Sequence, residues 1–290
     1  MSALTKEIPR PALRYHGGKW KLAPWIVSHF APHSTYTEVY GGGGSVLLRK
    51  PRAVGEVYND LDGDVVNLFR VLRDPLLAAR LREQLHYTKY DRREFEGAQL
   101  VPDEPVEAAR CLIVRSFMSY GSAGSNPAHR TGFRATSTRG AGKTGPATEW
   151  ATYPDLIPAL TARLAGVVIE ERPAVELLAK EDKPSCLHYV DPPYPLGTRT
   201  AEVATNGCYR FEMSDDDHRK LASVLHRLVG QVVLSGYACD LYDQELFPTW
   251  ERFTNDTHAD GGRPRTEVLW LNPAASASRR KQHDLTGLFR

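Results

Sequence analysis

The stretch from His188 to Pro195, which reads H-Y-V-D-P-P-Y-P, carries residue types that could bind a planar ligand. Two prolines directly follow Asp191, and each proline fixes φ at about −65° and lacks a backbone N–H. Asp191 and the following carbonyls are therefore left as outward-pointing acceptors, and Tyr194 adds an aromatic face. This combination suits a flat ligand with an exocyclic amino group, such as adenine. An ordinary strand that ends at two prolines is the alternative interpretation.

A glycine turn follows the first predicted strand. Residues 35–40 alternate like a β-strand, residues 45–48 begin a helix, and between them lie Gly41, Gly42, Gly43 and Gly44. In a doubly wound α/β fold, ligands bind at the carboxyl ends of the strands, and glycines let the main chain approach them closely. The spacing satisfies the dinucleotide pattern G-x-G-x-x-G only loosely. A flexible glycine linker is the alternative interpretation.

A carboxylate follows the second predicted strand. Residues 55–58 lead to Asp60, about 20 residues beyond the glycine turn, where such folds place an acid that accepts ribose hydroxyls. Asp60 could also cap the helix that begins near Leu61. The turn and the acid together predict a nucleoside site and do not separate NAD from S-adenosylmethionine. Upstream, Gly17, Gly18 and Lys19 form a weak candidate phosphate loop, since the full P-loop spacing is absent.

A basic stretch follows the predicted helices at residues 76–90 and 106–117. No acidic residue occurs between Glu107 and Glu149, and from residue 120 the chain is rich in Gly, Ser, Thr and Asn. Such a segment suits a phosphate backbone and base edges, so it predicts DNA binding. A solvated disordered loop is the alternative interpretation. The candidate DNA contacts are Arg115, Asn126, Arg130, Arg134, Arg139 and Lys143.

Overall composition limits the classes of function. The net charge is +2 over 290 residues, so a nucleic-acid partner must meet a local basic patch. The four cysteines show no C-x-x-C pair, which argues against zinc and a disulfide framework. No apolar run approaches the roughly 18 residues of a membrane span, and no signal peptide is apparent. We therefore expect a soluble, cytoplasmic protein with reduced thiols.

The remaining patterns predict an α/β fold. Further strands are expected at residues 167–170, 187–190, 231–234 and 267–271, with a helix at 174–180 and another capped by Ser214 and Asp217. Residues 1–13 are expected to be a flexible lead-in and residues 198–208 a mobile loop. The basic, Ser/Ala-rich residues from 274 onward are expected to form a mobile tail.

Seven segments in this order resemble the Dam-like, alpha-group N6-adenine DNA methyltransferases. They are R-Y-H-G-G-K-W at 14–20, T-E-V-Y-G-G-G-G-S-V-L-L at 37–48, Y-N-D-L-D at 58–62, Y-V-D-P-P-Y at 189–194, F-E-M-S-D-D-D-H-R-K-L at 211–221, V-V-L-S-G-Y at 232–237 and R-T-E-V-L-W-L-N at 265–272. The resemblance implies the Rossmann-like α/β fold of S-adenosylmethionine-dependent methyltransferases, which is built on a doubly wound mixed sheet. It implies a catalytic domain over residues 1–75 and 165–274. A mostly helical recognition region is inserted at 76–164, with a basic loop at about 120–148, and a basic tail occupies 275–290.

The resemblance also implies roles for individual residues. Tyr15 and Lys19 would line the S-adenosylmethionine pocket, and Gly41 to Gly44 would pass under the methionine part. Asp60 would take the ribose hydroxyls. Glu38 and Tyr40 are also expected among the cofactor contacts. The family often has Glu-Pro-Phe where this chain reads Glu38-Val39-Tyr40, so the end of this strand is expected to differ in shape. The catalytic corner would be Asp191, Pro192, Pro193 and Tyr194, with Asp191 beside both the cofactor and the target base.

We therefore expect a site-specific enzyme that methylates the amino group of an adenine flipped out of duplex DNA, with no metal required. Asp191 and the Pro192 carbonyl would accept the amino hydrogens while Tyr194 stacks on the base. Alternatives are a methylase of RNA adenine or of a protein amide, a non-catalytic S-adenosylmethionine-dependent DNA-binding protein, and a nicotinamide dehydrogenase. The oligomeric state, monomer or weak dimer, and the context, whether restriction–modification, phage or orphan enzyme, stay open.

Overall fold

The protein is built on one seven-stranded sheet. The structure, a computed structural model, describes residues 8–121, 131–135, 145–199, 209–258 and 264–287. In chain order the strands are β1 Thr35–Glu38, β2 Gly55–Asn59, β3 Val167–Glu170, β4 Cys186–Val190, β5 Gln231–Tyr237, β6 Glu251–His258 and β7 Pro264–Leu271. Their spatial order is β3-β2-β1-β4-β5-β7-β6. β1 to β5 are parallel, while β7 is antiparallel to both β5 and β6.

Helices cover both faces of this sheet. Alternate residues of a strand point to opposite faces, and on β5 Val233 belongs to one buried cluster while Val232 and Leu234 belong to the other. The described α-helices are α1 Ala23–Val27, α2 Ser45–Arg49, α3 Gly63–Arg73, α4 Pro75–Tyr87, α5 Arg92–Gly97, α6 Pro105–Met118, α7 Pro146–Ala151, α8 Ile157–Leu164, α9 Ala174–Glu181, α10 Asp215–Leu225 and α11 Pro273–Gly287. The predicted doubly wound mixed sheet is confirmed.

The two clusters divide the helices between the faces. Residues of α1, α2, α3, α4, α6 and α8 contribute to the first cluster, and residues of α9 and α10 contribute to the second. The helices from α4 to α8 follow β2 in the chain and return it to β3, so the predicted inserted region is helical where it is described. None of the described helices is long and apolar enough to cross a membrane.

Local capping explains where the helices near the site begin. Ser214 accepts the Asp217 N–H while Asp217 accepts the Ser214 N–H, so the predicted capping pair is present at α10. At α3 the cap is Asp62, whose side chain accepts the Asp64 N–H. The interpretation of Asp60 as this cap is therefore wrong, which leaves Asp60 for other contacts.

Two expectations about flexible segments need correction, and one strand was missed. The expected mobile tail is wrong for the beginning of α11, because Ala275 and Ser276 are buried (1% and 4% exposed). The expected flexible lead-in is wrong at its end, since Ala12 and Leu13 are buried in the first cluster. The sequence patterns also missed β6, a polar edge strand. Of the expected mobile loop, residues 200–208 lie outside the described residues.

Candidate active site

A cavity of about 590 Å³ opens at the carboxyl ends of β1, β2 and β4. The strand order reverses between β1 and β4, and this is where doubly wound folds form a ligand crevice. Six segments of the chain meet there, the last of them running from Tyr209 into α10. The lining includes Tyr15 to Lys19, Glu38 to Gly43, Asn59 to Asp62, Arg172 to Val175, and Asp191 with Pro193. Most of the cofactor residues predicted from the sequence are thus brought together in one place.

The glycine turn is a fixed wall of this cavity. Gly42 has φ +46°, and a Cβ placed on it would lie 2.7 Å from the Tyr15 ring. A Cβ on Gly41 would overlap the ring of Tyr58, whose hydroxyl donates to the Gly42 carbonyl over 2.6 Å. The turn is closed by the Gly44 N–H, which donates to the Gly41 carbonyl. These contacts argue against the flexible-linker interpretation.

Asp60 lies at the end of β2 and lines the same cavity. Its Oδ2 accepts the Gly42 N–H (2.7 Å) and its Oδ1 accepts the Asp62 N–H (2.8 Å). Burial raises the pKa of Asp60 to about 6, although these two backbone donors favour the charged form. The backbone N–H of Leu61 also favours the charged form, and the carboxylate, with about four lone-pair sites, can still accept a further donor.

Glu38 and Tyr40 flank the end of β1. Glu38 is buried, and its Oε2 accepts the Leu47 N–H and the Tyr36 hydroxyl, both over 2.6 Å. These bonds tie the first turn of α2 to β1, while burial raises the pKa of Glu38 to about 8. Burial also raises the pKa of Tyr40. Both side chains line the cavity, and their contact with a cofactor stays a prediction.

Lys19 and Asp191 join the N-terminal loop to the corner after β4. Lys19 Nζ lies 2.8 Å from Asp191 Oδ2 and donates to the Gly17 carbonyl over 2.7 Å. Burial opposes the charge on Lys19, but Asp191 and Glu267 outweigh it and raise the Lys19 pKa. Burial raises the pKa of Asp191, with Lys19 acting against that shift. Asp191 Oδ1 is buried and has no hydrogen-bond partner among the described residues.

Tyr194 is fixed by contacts at both of its ends. Its hydroxyl donates to Glu267 Oε1, and its ring meets Tyr237 edge-on with centroids 4.6 Å apart. Its carbonyl accepts two hydrogen bonds from Arg199, at 2.9 Å and 2.6 Å. Lys19 Nζ lies 4.8 Å from the centre of the Tyr194 ring. The corner around Asp191 is therefore held rigidly.

Sequence reasoning missed three residues that build this site. Arg210 reaches back to Asp62 (2.9 Å), and Tyr209 packs edge-on against His16 at 5.3 Å; both line the cavity. No local pattern marks either residue, because both precede α10 and lie far along the chain from their partners. Glu267 falls within the segment at 265–272, but that resemblance gave it no role.

Of the six residues predicted to contact DNA, two lie within the described part of the chain, Arg115 and Arg134. Arg115 is 1% exposed and donates to the Ala98 carbonyl over 2.7 Å, so its predicted contact with DNA is wrong in this structure. Helical spacing places it on the buried side of α6. Arg134 lies within the described residues, and its Nη2 is 3.3 Å from Oε2 of Glu149. The other four, Asn126, Arg130, Arg139 and Lys143, lie outside the described residues.

The described part of the chain holds no group of three or more His, Cys, Asp or Glu side chains that could bind a metal ion.

No curated protein matches the chain. Residues 15–99 match the family described as D12 class N6 adenine-specific DNA methyltransferase. This match includes Tyr15, Lys19, the glycine turn and Asp60, and it ends before Asp191. The predicted resemblance to N6-adenine DNA methyltransferases is thereby confirmed over residues 15–99.

Proposed function

We propose that the protein transfers a methyl group from S-adenosylmethionine to the amino nitrogen of an adenine that is flipped out of duplex DNA. The observation that carries this proposal is the buried, unpartnered Oδ1 of Asp191 at the edge of the cavity. A buried acceptor without a donor costs free energy, so it favours a ligand that brings an N–H to this point. The amino group of adenine is such a ligand.

The cavity suits S-adenosylmethionine in its size, its hydrogen-bond acceptors and its apolar lining. Asp60 can accept a ribose hydroxyl with its remaining lone pairs, and Val39, Val175 and Leu221 supply apolar contact. Asp191 supplies negative charge for a cationic sulfur. When bound, S-adenosylmethionine supplies a methyl group on a sulfonium sulfur, which departs as a neutral thioether.

The corner residues would prepare the amino nitrogen for attack. The lone pair of this nitrogen is delocalised into the adenine ring, so it is a poor nucleophile. Asp191 Oδ1 and the Pro192 carbonyl would accept its two hydrogens and favour a pyramidal nitrogen with a localised pair. As the new N–C bond forms, Asp191 is placed to take the surplus proton, and burial has already raised its pKa. Lys19 holds Oδ2 and so orients the carboxylate.

Asp60 predicts a pH dependence for cofactor binding. A carboxyl group is ionised above its pKa and protonated below it, and the pKa of Asp60 is raised to about 6. We expect the Kd for S-adenosylmethionine to rise as the pH falls through 6, because the protonated form offers fewer acceptors to the ribose. Calorimetric titration between pH 5 and 8 measures this. Asp60→Asn should bind more weakly and lose the dependence; an identical pH profile in that variant would contradict the assignment.

Residues 76–164 are proposed to recognise DNA, with Arg130, Arg134 and Arg139 contacting phosphates. Replacing all three by Ala should weaken DNA binding and reduce the slope of log Kd against log salt by about 2 to 3, because each phosphate contact contributes close to one unit. Fluorescence anisotropy over a salt series measures the slope. Lys183→Ala is the control, since Lys183 is an exposed residue just before the amino end of β4, whereas the cavity lies at the carboxyl end of that strand. An unchanged slope in the triple variant would favour a solvated loop.

One labelling experiment tests the reaction itself. The protein is incubated with tritiated S-adenosylmethionine and with duplex DNA, single-stranded DNA or RNA in parallel, and N6-methyladenine is then mapped by sequencing. Label on adenine in duplex DNA supports the proposal. Transfer to RNA alone would replace the substrate, and binding without transfer would make the protein a non-catalytic DNA-binding protein.

A further inference from the structure

Glu267 is a buried carboxylate next to the site that the proposed reaction does not use. It lies on β7, is 2% exposed, and pairs in register with Tyr237 of β5. Its Oε1 accepts the hydroxyls of Ser235, over 2.9 Å, and of Tyr194. Burying a carboxylate carries a large desolvation cost that an apolar side chain would avoid. The contacts of Glu267 indicate what it does there.

Glu267 lies close to both Tyr194 and Lys19, which belong to the surroundings of Asp191. Through its hydrogen bond to Tyr194 it anchors the far end of a ring whose edge is already packed against Tyr237. Lys19 Nζ lies 4.0 Å from Glu267 Oε1 and 2.8 Å from Asp191 Oδ2, so one ammonium group serves two carboxylates. A change at Glu267 is therefore transmitted to both the ring and the carboxylate of the corner.

We propose that Glu267 is a positioning residue for methyl transfer, which fixes the ring of Tyr194 and draws part of the Lys19 charge away from Asp191. Glu267 acts through Tyr194 and Lys19 and does not itself contact the substrate. The inference rests on the proposed function, because it concerns the corner Asp191 to Tyr194 at which the methyl transfer is proposed. With the Lys19 charge shared, Asp191 stays basic enough to accept an amino hydrogen. Without Glu267, Lys19 would neutralise Asp191 more completely.

The other groups around Asp191 leave this role to Glu267. Glu38 of β1 is a third carboxyl group near Asp191, but burial raises its pKa to about 8, so it is largely uncharged near pH 7. Burial also raises the pKa of Glu267, whereas Lys19 and the hydroxyls of Tyr194 and Ser235 act against that shift and favour its charged form. Among the described residues, the other titratable neighbours of Asp191 are four tyrosines: Tyr189, Tyr194, Tyr209 and Tyr242. The last of them belongs to the π-helical turn Leu241–Leu246. Burial raises the pKa of each, which keeps them neutral.

Two substitutions at Glu267 distinguish the effect of its negative charge from the effect of its side-chain length. Glu267→Gln removes the charge and keeps the shape, so kcat should fall about tenfold and the acid limb of its pH profile should move to lower pH by roughly one unit. Glu267→Asp keeps the charge and shortens the reach to Tyr194. It should lower kcat by about the same factor and leave the acid limb in place. Glu245→Gln, an exposed partner of Arg219, is the matched control and should change neither.

A second measurement does not depend on turnover. The pKa of Asp191 is read from its carboxyl ¹³C resonance, assigned with Asp191→Asn, and it should fall in Glu267→Gln and not in Glu267→Asp. An unshifted Asp191 pKa in Glu267→Gln, or wild-type kcat in Glu267→Asp, overturns the inference. If the pKa shift occurs but the wild-type protein transfers no methyl group to DNA adenine, the proposed function fails and the coupling of Glu267 to Asp191 stands.

Discussion

Asp191→Asn should reduce methyl transfer to adenine by about a thousandfold, within the range that a positioned proton acceptor contributes. The amide keeps the shape of the carboxylate but turns an N–H₂ group toward a substrate that is itself a donor. It also removes the charged partner of Lys19, which lies 2.8 Å away. Tritium transfer under single-turnover conditions measures the loss, and DNA affinity measured by anisotropy should stay at the wild-type value.

Asp216→Asn is the matched control for this variant. Asp216 is an exposed residue of α10 that pairs with Arg219, so its replacement should leave turnover unchanged. An Asp191→Asn protein that retains a tenth or more of wild-type turnover would contradict the assignment of Asp191 as the acceptor. Loss of DNA binding in the same variant would instead point to a damaged fold.

Gly42→Ala should lower the affinity for S-adenosylmethionine by about tenfold or more, because two costs fall at once. Gly42 has φ +46°, a conformation that costs an L-residue about 1–2 kcal/mol. Its new Cβ would also lie 2.7 Å from the ring of Tyr15, which lines the cavity and would have to move. Calorimetry measures the affinity, and denaturant unfolding measures the accompanying loss of stability.

Gly97→Ala provides the control for the glycine variant. Gly97 ends α5, its φ is not positive, and a Cβ there meets nothing within 4 Å. This substitution should leave cofactor affinity unchanged and stability equal or slightly higher, since Ala is the better helix former. If Gly42→Ala binds the cofactor as tightly as the wild type, the turn has no part in the cofactor pocket.

The sequence predicts those parts of the site that depend on local patterns. The strand β3, the capping pair Ser214 and Asp217, and the glycine turn all follow from neighbouring residues, and the structure has them where the patterns place them. Asp60 and Asp191 were found because parallel strands present their carboxyl ends at one edge of the sheet. The general architecture of the cavity was thus predictable.

Other features depend on contacts between distant segments. Arg115 was taken for a DNA ligand because its surroundings lack acids, whereas the packing of α6 buries it beneath the Ala98 carbonyl. The polar strand β6 shows no strong alternation, and it forms because β7 lies beside it. The role of Glu267 depends on the antiparallel pairing of β7 with β5, which no local pattern encodes.

That pairing has a consequence for the order in which the parts of the site are synthesised. In the order of synthesis Lys19 precedes Asp191 and Asp191 precedes Glu267, and β7 lies between β5 and β6 in the completed sheet. Domains fold as units once their chain is available. A nascent chain that has already exposed its glycine turn therefore still lacks the residue that holds Tyr194. A chain that ends before β7 therefore lacks the carboxylate that accepts the Tyr194 hydroxyl and the strand that joins β6 to the rest of the sheet.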